Sequence, residues 1–297
     1  MADSNSVINL GELSKPVSTL IEKISDAIGG IFQPHQIRRI AQAEAEAEKI
    51  RAVSEIEISN LQRRALQRFL VEEAKKQNNI ETITRKALPG VSEQAAPHEI
   101  EDDWITNFFD KCRLISDDEM QNLWARVLAG EANAPGKYSK RTVNLLADLD
   151  KVDAETFARV CSFGVTLGKL TPLVYDIKHR IYMDRGVIFT SLSHLESIGL
   201  IHFDALAGYA HLGLGQQGTI NYYGTPVWIG FDKSEQNSMN IGHVMLTKAG
   251  EQLAFICGSQ PVDGFVEYLR EKWKGLGYKV DPDAVDDIPV EPSQPAT

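Results

Sequence analysis

DWITNFFDKCRLISDDEMQNLWARVLAGEANAPGKYSKRTVNLLADLD, residues Asp103–Asp150, decides how the rest of the chain is read. Trp104, Phe108 and Leu114, then Leu123, Trp124, Val127 and Leu128, then Val143, Leu146 and Leu149 recur at helical spacing. That pattern predicts three short amphipathic helices packed on one another. Ser116 ahead of Asp117, Asp118 and Glu119 reads as an N-cap followed by a capping-box acid, and acids in a first turn suit the positive end of the helix dipole. Gly130 reads as the C-terminal stop, Asn133 to Gly136 as a turn, and Ser139 as the cap of a helix starting near Lys140.

Upstream, the chain from His35 to Ile83 contains neither Pro nor Gly and is rich in Ala, Glu, Gln, Lys and Arg. Residues 35–90 are therefore expected to form one long helix. Its apolar stripe (Ile37, Ile40, Ala47, Ile50, Ile58, Leu61, Ala65, Phe69) is narrow and interrupted by Ser54 and Glu57. So thin a stripe cannot bury a helix of that length within one small domain, and self-association in a coiled coil is favoured over folding back. Arg63, Arg64 and Arg68 are read as solvated partners of neighbouring glutamates. In the N-terminal segment, residues 1–34, Leu20, Ile21, Ile24, Ile28 and Ile31 share one helix face. Lys23 is the one basic residue on the opposite face of residues 17–32, so docking on protein is favoured over lying in a membrane.

Downstream, residues 91–165 make up the central helical module and residues 166–280 a winged-helix-like domain. Two helices (from Leu170, then TSLSHLESIGLI) are followed by a strand, the β-rich TINYYGTPVWIGFD as a wing, and VMLTKAGEQLAFICG as a strand entering a helix capped by Thr247. DALAGYAHLGLGQQG, residues 204–218, reads as a looped insertion. Residues 281–297 hold five acids and no base, and read as a disordered tail. The expected fold class is mainly α, with α+β character confined to the C-terminal domain.

Composition argues against several functions. Residues 35–90 hold eleven Lys/Arg against eight acids, residues 91–163 eight against fourteen, and residues 164–280 ten against ten. No segment is a general polyanion-binding surface. Thr190 to Ile201, the helix that would enter a DNA groove, has no Lys or Arg, so nucleic acid is not favoured as a partner. Cys112, Cys161 and Cys257 are far apart and read as reduced thiols. His179, His194 and His202 lack metal-ligand spacing and are read as structural or surface residues. Gly213, Gly215 and Gly218 spell GxGxxG but precede a β-rich segment instead of a helix, so no dinucleotide is expected. Ser191 and Ser193 lack a nucleophile-elbow setting, and no cofactor, metal or catalytic group is assigned. The N-terminus has no basic start followed by an apolar run, and no stretch is long and apolar enough to span a bilayer. A cytoplasmic location is expected.

What remains as a candidate site is the turn of the central module. Arg126 and Glu131 beside an apolar core must be paired or exposed, and one reading has them bonding the backbone around Asn133 to Gly136. A sharper reading makes Arg126, Glu131, Lys137, Tyr138, Lys140 and Arg141 a recognition surface for an anionic or protein partner.

The run QNLWARVLAGEANAPGKYSKRT resembles the core of a bacterial family catalogued as a domain of unknown function, on Trp104, Gln121, Trp124, Ala125, Leu128, Gly130, Glu131, Pro135, Gly136, Ser139 and Arg141. The resemblance implies a helical N-terminal half joined to a winged-helix-like end, and brings no activity. Proteins of this general build occur among phage-defence and abortive-infection genes. The expected function is a non-enzymatic, self-associating recognition or scaffold protein with a protein partner, in phage defence. The alternatives are a DNA-binding regulator and a membrane-permeabilising effector acting through residues 17–32.

Overall fold

The computed structural model describes residues 14–28 and 60–280, and the chain divides into two compact units, Met1–Asp148 and Leu149–Thr297. Residues 1–13, Ile31, residues 35–59 of the expected long helix and the acidic tail from 281 lie outside the described residues.

The first unit is helical: α1 (Lys15–Ile28), α2 (Asn60–Ala87), α3 (Asp102–Cys112), α4 (Asp118–Asn133) and α5 (Lys140–Ala147). Helix α2 packs on α4, α3 on α5, and α1 on α3 and the short turn 97–99. At the centre Trp104 stacks on Phe108, which meets Trp124 edge-on, all three ring pairings of Phe108 having centroids 5.1 Å apart. Phe108, Trp124, Leu128, Val143 and Leu146 are fully buried there. Burial of a large apolar side chain contributes about 1.5–3 kcal/mol, so this cluster and not helix propensity holds the short helices together. Leu114, expected in the core, is instead exposed in the turn after α3.

Two local expectations are corrected. The N-cap of α4 is Asp117 and not Ser116: its Oδ1 accepts the Glu119 and Met120 amides, each at 3.0 Å. A carboxylate beside the positive helix end outcompetes a hydroxyl one residue earlier. Gly130 does not stop α4, which runs on to Asn133. Ser139 caps α5 through the Thr142 amide at 3.2 Å.

The second unit overturns the mainly helical expectation. It begins with α6 (Lys151–Cys161), then β1 (Gly164–Leu167), β2 (Lys169–Pro172), α7 (Arg180–Met183), α8 (Phe189–Ser197) and β3 (Ile201–Phe203). Next come β4 (Tyr209–Leu214), β5 (Gln217–Tyr222), β6 (Thr225–Gly230), β7 (Asn237–Gly242), β8 (Val244–Leu246), α9 (Lys248–Ala254) and α10 (Phe265–Gly275). Eight strands among the described residues make the protein mixed α/β. The segment from Leu170 read as a helix is strand β2 followed by a loop, and only Arg180–Met183 is helical. Residues 204–218, read as a loop, carry β4. The expected single wing is split: β5 and β6 join an antiparallel sheet in the order β2-β1-β5-β6, while β4 pairs with β7 and β3 with β8. These strands are three to six residues long and Gly-punctuated. Their stability comes from cross-strand partners distant in sequence, which a local pattern does not register.

Tyr223 and Gly224 turn β5 into β6 with positive φ, 46° and 88°, a two-residue hairpin of the kind that matches strand twist. Beneath the sheet, Phe163 lies against Tyr182 and Phe265, with centroids 4.6 and 5.0 Å away. The Tyr182 hydroxyl donates to the Leu173 carbonyl at 2.7 Å. Trp273 Nε1 donates to the Tyr175 hydroxyl at 2.9 Å, and that hydroxyl donates in turn to the Asn240 carbonyl at 2.9 Å. The buried Tyr182, Tyr175 and Trp273 polar atoms are thereby satisfied where burial would otherwise be costly.

Candidate functional site

The chain doubles back between α4 and α5 through residues 134–139, and Glu131 organises that reversal. One turn from the end of α4, its side chain is 2 % exposed. Oε1 accepts the Gly136 amide at 2.6 Å and Oε2 the Tyr138 amide at 2.8 Å. Two donors on one carboxylate clamp the turn. Burial nevertheless raises the Glu131 carboxyl above its ordinary value; the two amides pull the other way and do not overcome it. The turn is also tied to residues 90–96, where Asn133 accepts the Ser92 amide and donates to the Gly90 carbonyl, both at 2.8 Å.

Tyr138 then folds under the turn. Its ring lies against Gly130 so closely that a Cβ there would sit 2.7 Å from Cε2 and 2.9 Å from the hydroxyl. This, and not helix termination, is what Gly130 supplies. Trp104 Nε1 donates to the Tyr138 carbonyl at 2.6 Å, pinning the turn to α3. The Tyr138 hydroxyl is buried without a partner among the described residues, and burial moves its pKa up to about 12. The Tyr138 hydroxyl therefore keeps its proton near neutral pH.

Around this buried frame stand the charges. Arg126, one helical turn before Gly130, is exposed, as are Lys137 and Arg141. The Lys137 ammonium lies 5.5 Å from the Tyr138 ring centroid. Half-buried Lys140 meets Asp103 at 3.3 Å, and Asp103 is itself well exposed. The six residues singled out in the sequence thus fall into two groups: Glu131 and Tyr138 are internal framework, while Arg126, Lys137, Lys140 and Arg141 carry positive charge near or at the surface.

On α1, Leu20, Ile21 and Ile24 are buried and Ile28 half-buried. Lys23 bonds the His98 carbonyl at 3.3 Å and pairs with Asp102 at 3.0 Å, which fixes the helix on the module. The polar groove beside it, about 400 Å³ and lined by Glu22, Lys23, Asp26 and Asp102, is a by-product of this docking.

The remaining chemistry-bearing residues take separate structural posts. His194 Nε2 lies 2.7 Å from Asp153, whose other oxygen accepts the Asp150 amide at 3.2 Å. His179 accepts the Ile181 amide at 3.2 Å as the N-cap of α7, and His202 points out from β3. Gly213 and Gly218 fall within strands β4 and β5, with Gly215 in the turn between them. Among the described residues no group of three or more His, Cys, Asp or Glu side chains is gathered for a metal ion, and no helix is long and apolar enough to cross a membrane.

Two features were not visible in the sequence. Cys161 and Cys257, far apart in the chain, lie near enough for each thiol to shift the other's ionisation. The first half of α2 keeps large apolar side chains in solvent: Leu61 is 68 % exposed, Phe69 57 % and Val71 66 %. The spacing of Leu61 and Phe69 was in the stripe, but only the structure shows that both are exposed, with none of the described residues burying them.

No curated protein and no solved structure matches the chain. The family described as protein of unknown function DUF2806 matches residues 63–270, which run from the first turn of α2 into α10 and so take in the Glu131 turn and all eight of the described strands. By that match, covering well over half its length, the chain belongs to the DUF2806 family.

Proposed function

We propose that the protein is a non-enzymatic recognition and scaffold protein, which self-associates through the first half of α2 and binds a protein or anionic partner at the Glu131 turn. The carrying observation is the row of exposed apolar side chains on α2. Ile80, Ile83 and Ala87 at the end of the same helix are buried in the module, whereas Leu61, Leu66, Phe69 and Val71 are not. Leu61, Ala65 and Phe69, spaced i, i+4 and i+8, share one exposed face with Leu66 and Val71 off to either side, and a second copy of the same helix is a self-complementary cover for that face. Arg64 and Arg68 lie beside the face of Leu61 and Phe69 and would stand at its rim. At the Glu131 turn, a rigid backbone clamp presents Arg126, Lys137, Lys140 and Arg141 from one local frame, an arrangement suited to carboxylate or phosphate groups. Bacterial phage defence is the setting we favour, on the resemblance to genes of that build.

Light scattering tests the assembly. Cutting the chain before Val91 would strip Ile83 and Ala87 from the core, so the informative variant is Leu61→Asp with Phe69→Asp. The expected result is a higher-mass wild type and a monomeric variant with an unchanged melting temperature; a monomeric wild type ends the scaffold reading. Lys140→Glu with Arg141→Glu tests the surface, with loss of phage protection in a heterologous host at unchanged assembly as the expected result. Full protection by that variant removes the turn from the proposal.

A further inference from the structure

Cys161 closes α6 and is wholly buried, while Cys257 lies three residues beyond α9 and is partly exposed. They are roughly a hundred residues apart in sequence, and packing of α6 against α9 brings them together. Each thiol lies near enough to shift the other's ionisation. The surroundings fix this meeting from three sides. The Tyr223 hydroxyl, at the tip of the β5–β6 hairpin, donates to Ser259 Oγ at 2.6 Å and reaches the Cys161 carbonyl at 3.5 Å. The neighbouring Tyr222 hydroxyl donates to the Ser162 carbonyl at 2.8 Å and accepts the Val262 amide at 2.6 Å. The Gln260 amide donates to Ser162 Oγ at 3.3 Å. The chain after Cys161 and the chain after Cys257 are therefore zipped together through the hairpin tip.

We propose that Cys257 and Cys161 form a thiol–disulfide site, in which Cys257 is the entry point for a peroxide and Cys161 resolves it into an intramolecular bond. The asymmetry of the pair supports the assignment. The Cys161 thiol, with the Ser259 amide and hydroxyl, faces the Cys257 sulfur and lowers its pKa to about 7, whereas burial pushes Cys161 well up. As a thiol, Cys257 donates to the Ala254 carbonyl at 3.1 Å; ionised, it becomes the acceptor for Cys161. The partly exposed member is thus the nucleophile and the enclosed one the resolver. In the first step the Cys257 thiolate attacks hydrogen peroxide, the O–O bond breaks, the sulfur gains an S–OH and the departing hydroxide takes a proton to become water. Cys161 then attacks that sulfur, the S–S bond forms, and the hydroxide leaves with the Cys161 proton as a second water. Two thiols lose two electrons and two protons, and one peroxide becomes two waters. Cys112, fully buried in the first unit with its pKa raised by burial, is an internal control.

The test uses the full-length protein treated with hydrogen peroxide and then denatured in an alkylating agent. The expected product has lost about 2 Da, carries alkyl label on Cys112 alone, and recovers three labels after dithiothreitol. Its second-unit melting transition rises by roughly 5–10 °C, because the bond closes a long loop of the unfolded chain. Before oxidation, native-state labelling at neutral pH is at least about tenfold faster at Cys257 than at Cys112. Cys161→Ser should replace the 2 Da loss by a sulfenic acid on Cys257 that dimedone traps, and Cys257→Ser should abolish both. The wild-type mass needs neither variant to fold. Unchanged mass, overoxidation of Cys257 with Cys161 still free, or a disulfide linking two copies or reaching Cys112 would each overturn the proposal.

Discussion

Replacing Glu131 with glutamine changes one atom in a site where both carboxylate oxygens are occupied. The Gly136 amide donates to one at 2.6 Å and the Tyr138 amide to the other at 2.8 Å. Glutamine keeps one acceptor and turns an NH2 group toward the second amide, donor facing donor. An orphaned buried donor costs about 1–3 kcal/mol, and the surviving bond loses its charge assistance, about another 1 kcal/mol. Relief from burying a carboxylate offsets part of this, since burial already raises the carboxyl above its ordinary value. The net expected loss is about 2 kcal/mol, which for a unit of this size lowers its melting transition by roughly 4–8 °C. Calorimetry of wild type and E131Q measures it, the transition of the second unit serving as reference. The pH dependence adds a signed check. A carboxyl whose folded pKa lies above the unfolded one binds more protons in the native state between the two values. Its stabilisation is therefore complete below the ordinary glutamate range and is lost as pH rises through the folded value. Wild type should lose stability from this site as pH rises from the ordinary glutamate range through the raised folded value, and E131Q should lack that component. Protonated Glu131 still offers two oxygens to the two amides, so the wild-type advantage is greatest at the acid end. A melting transition within about 1 °C of wild type, or a steeper pH slope in E131Q, would refute the clamp.

Gly130→Ala places a methyl 2.7 Å from the Tyr138 ring and should destabilise the first unit by about 1–3 kcal/mol, although alanine is the better helix former by about 1 kcal/mol; a stabilised variant in urea unfolding would show that the ring moves freely. Tyr182→Phe leaves the Leu173 carbonyl without its donor at 2.7 Å, and should cost the second unit about 1–3 kcal/mol while the first unit's transition stays in place. Thr247→Val removes the cap to the Gly250 amide at 3.1 Å and the bond to the Gly199 carbonyl at 2.7 Å; chemical denaturation should show a loss of about 1–3 kcal/mol. Asp103→Asn breaks the Lys140 pair at 3.3 Å, but both partners are substantially exposed, so stability should change by less than about 1 kcal/mol, and a larger drop would mark a hidden structural role.

Sequence alone determined the features that depend on neighbours a few residues away. The helical spacing of Trp104, Phe108, Trp124, Val143 and Leu146 placed the core of the first unit. Ser139 and Thr247 announced two helix starts, because a cap needs only a hydroxyl and an amide three residues on. Pro135 and Gly136 marked the turn that Glu131 closes. Tertiary structure decided whatever depends on remote partners. Asp117 prevailed over Ser116 at the start of α4, and Gly130 proved to be a packing position because a ring eight residues later needs its space. The strands escaped local reading because β1 finds one partner in β2 and the other in β5, some fifty residues on, as Thr166 opposite Asn221 shows. Leu114 and Leu123 have the same apolar chemistry, yet one is exposed and the other buried, since burial is granted by the opposing surface. For the same reason three scattered cysteines could be counted in the sequence, but only the packing of α6 on α9 could set Cys161 against Cys257.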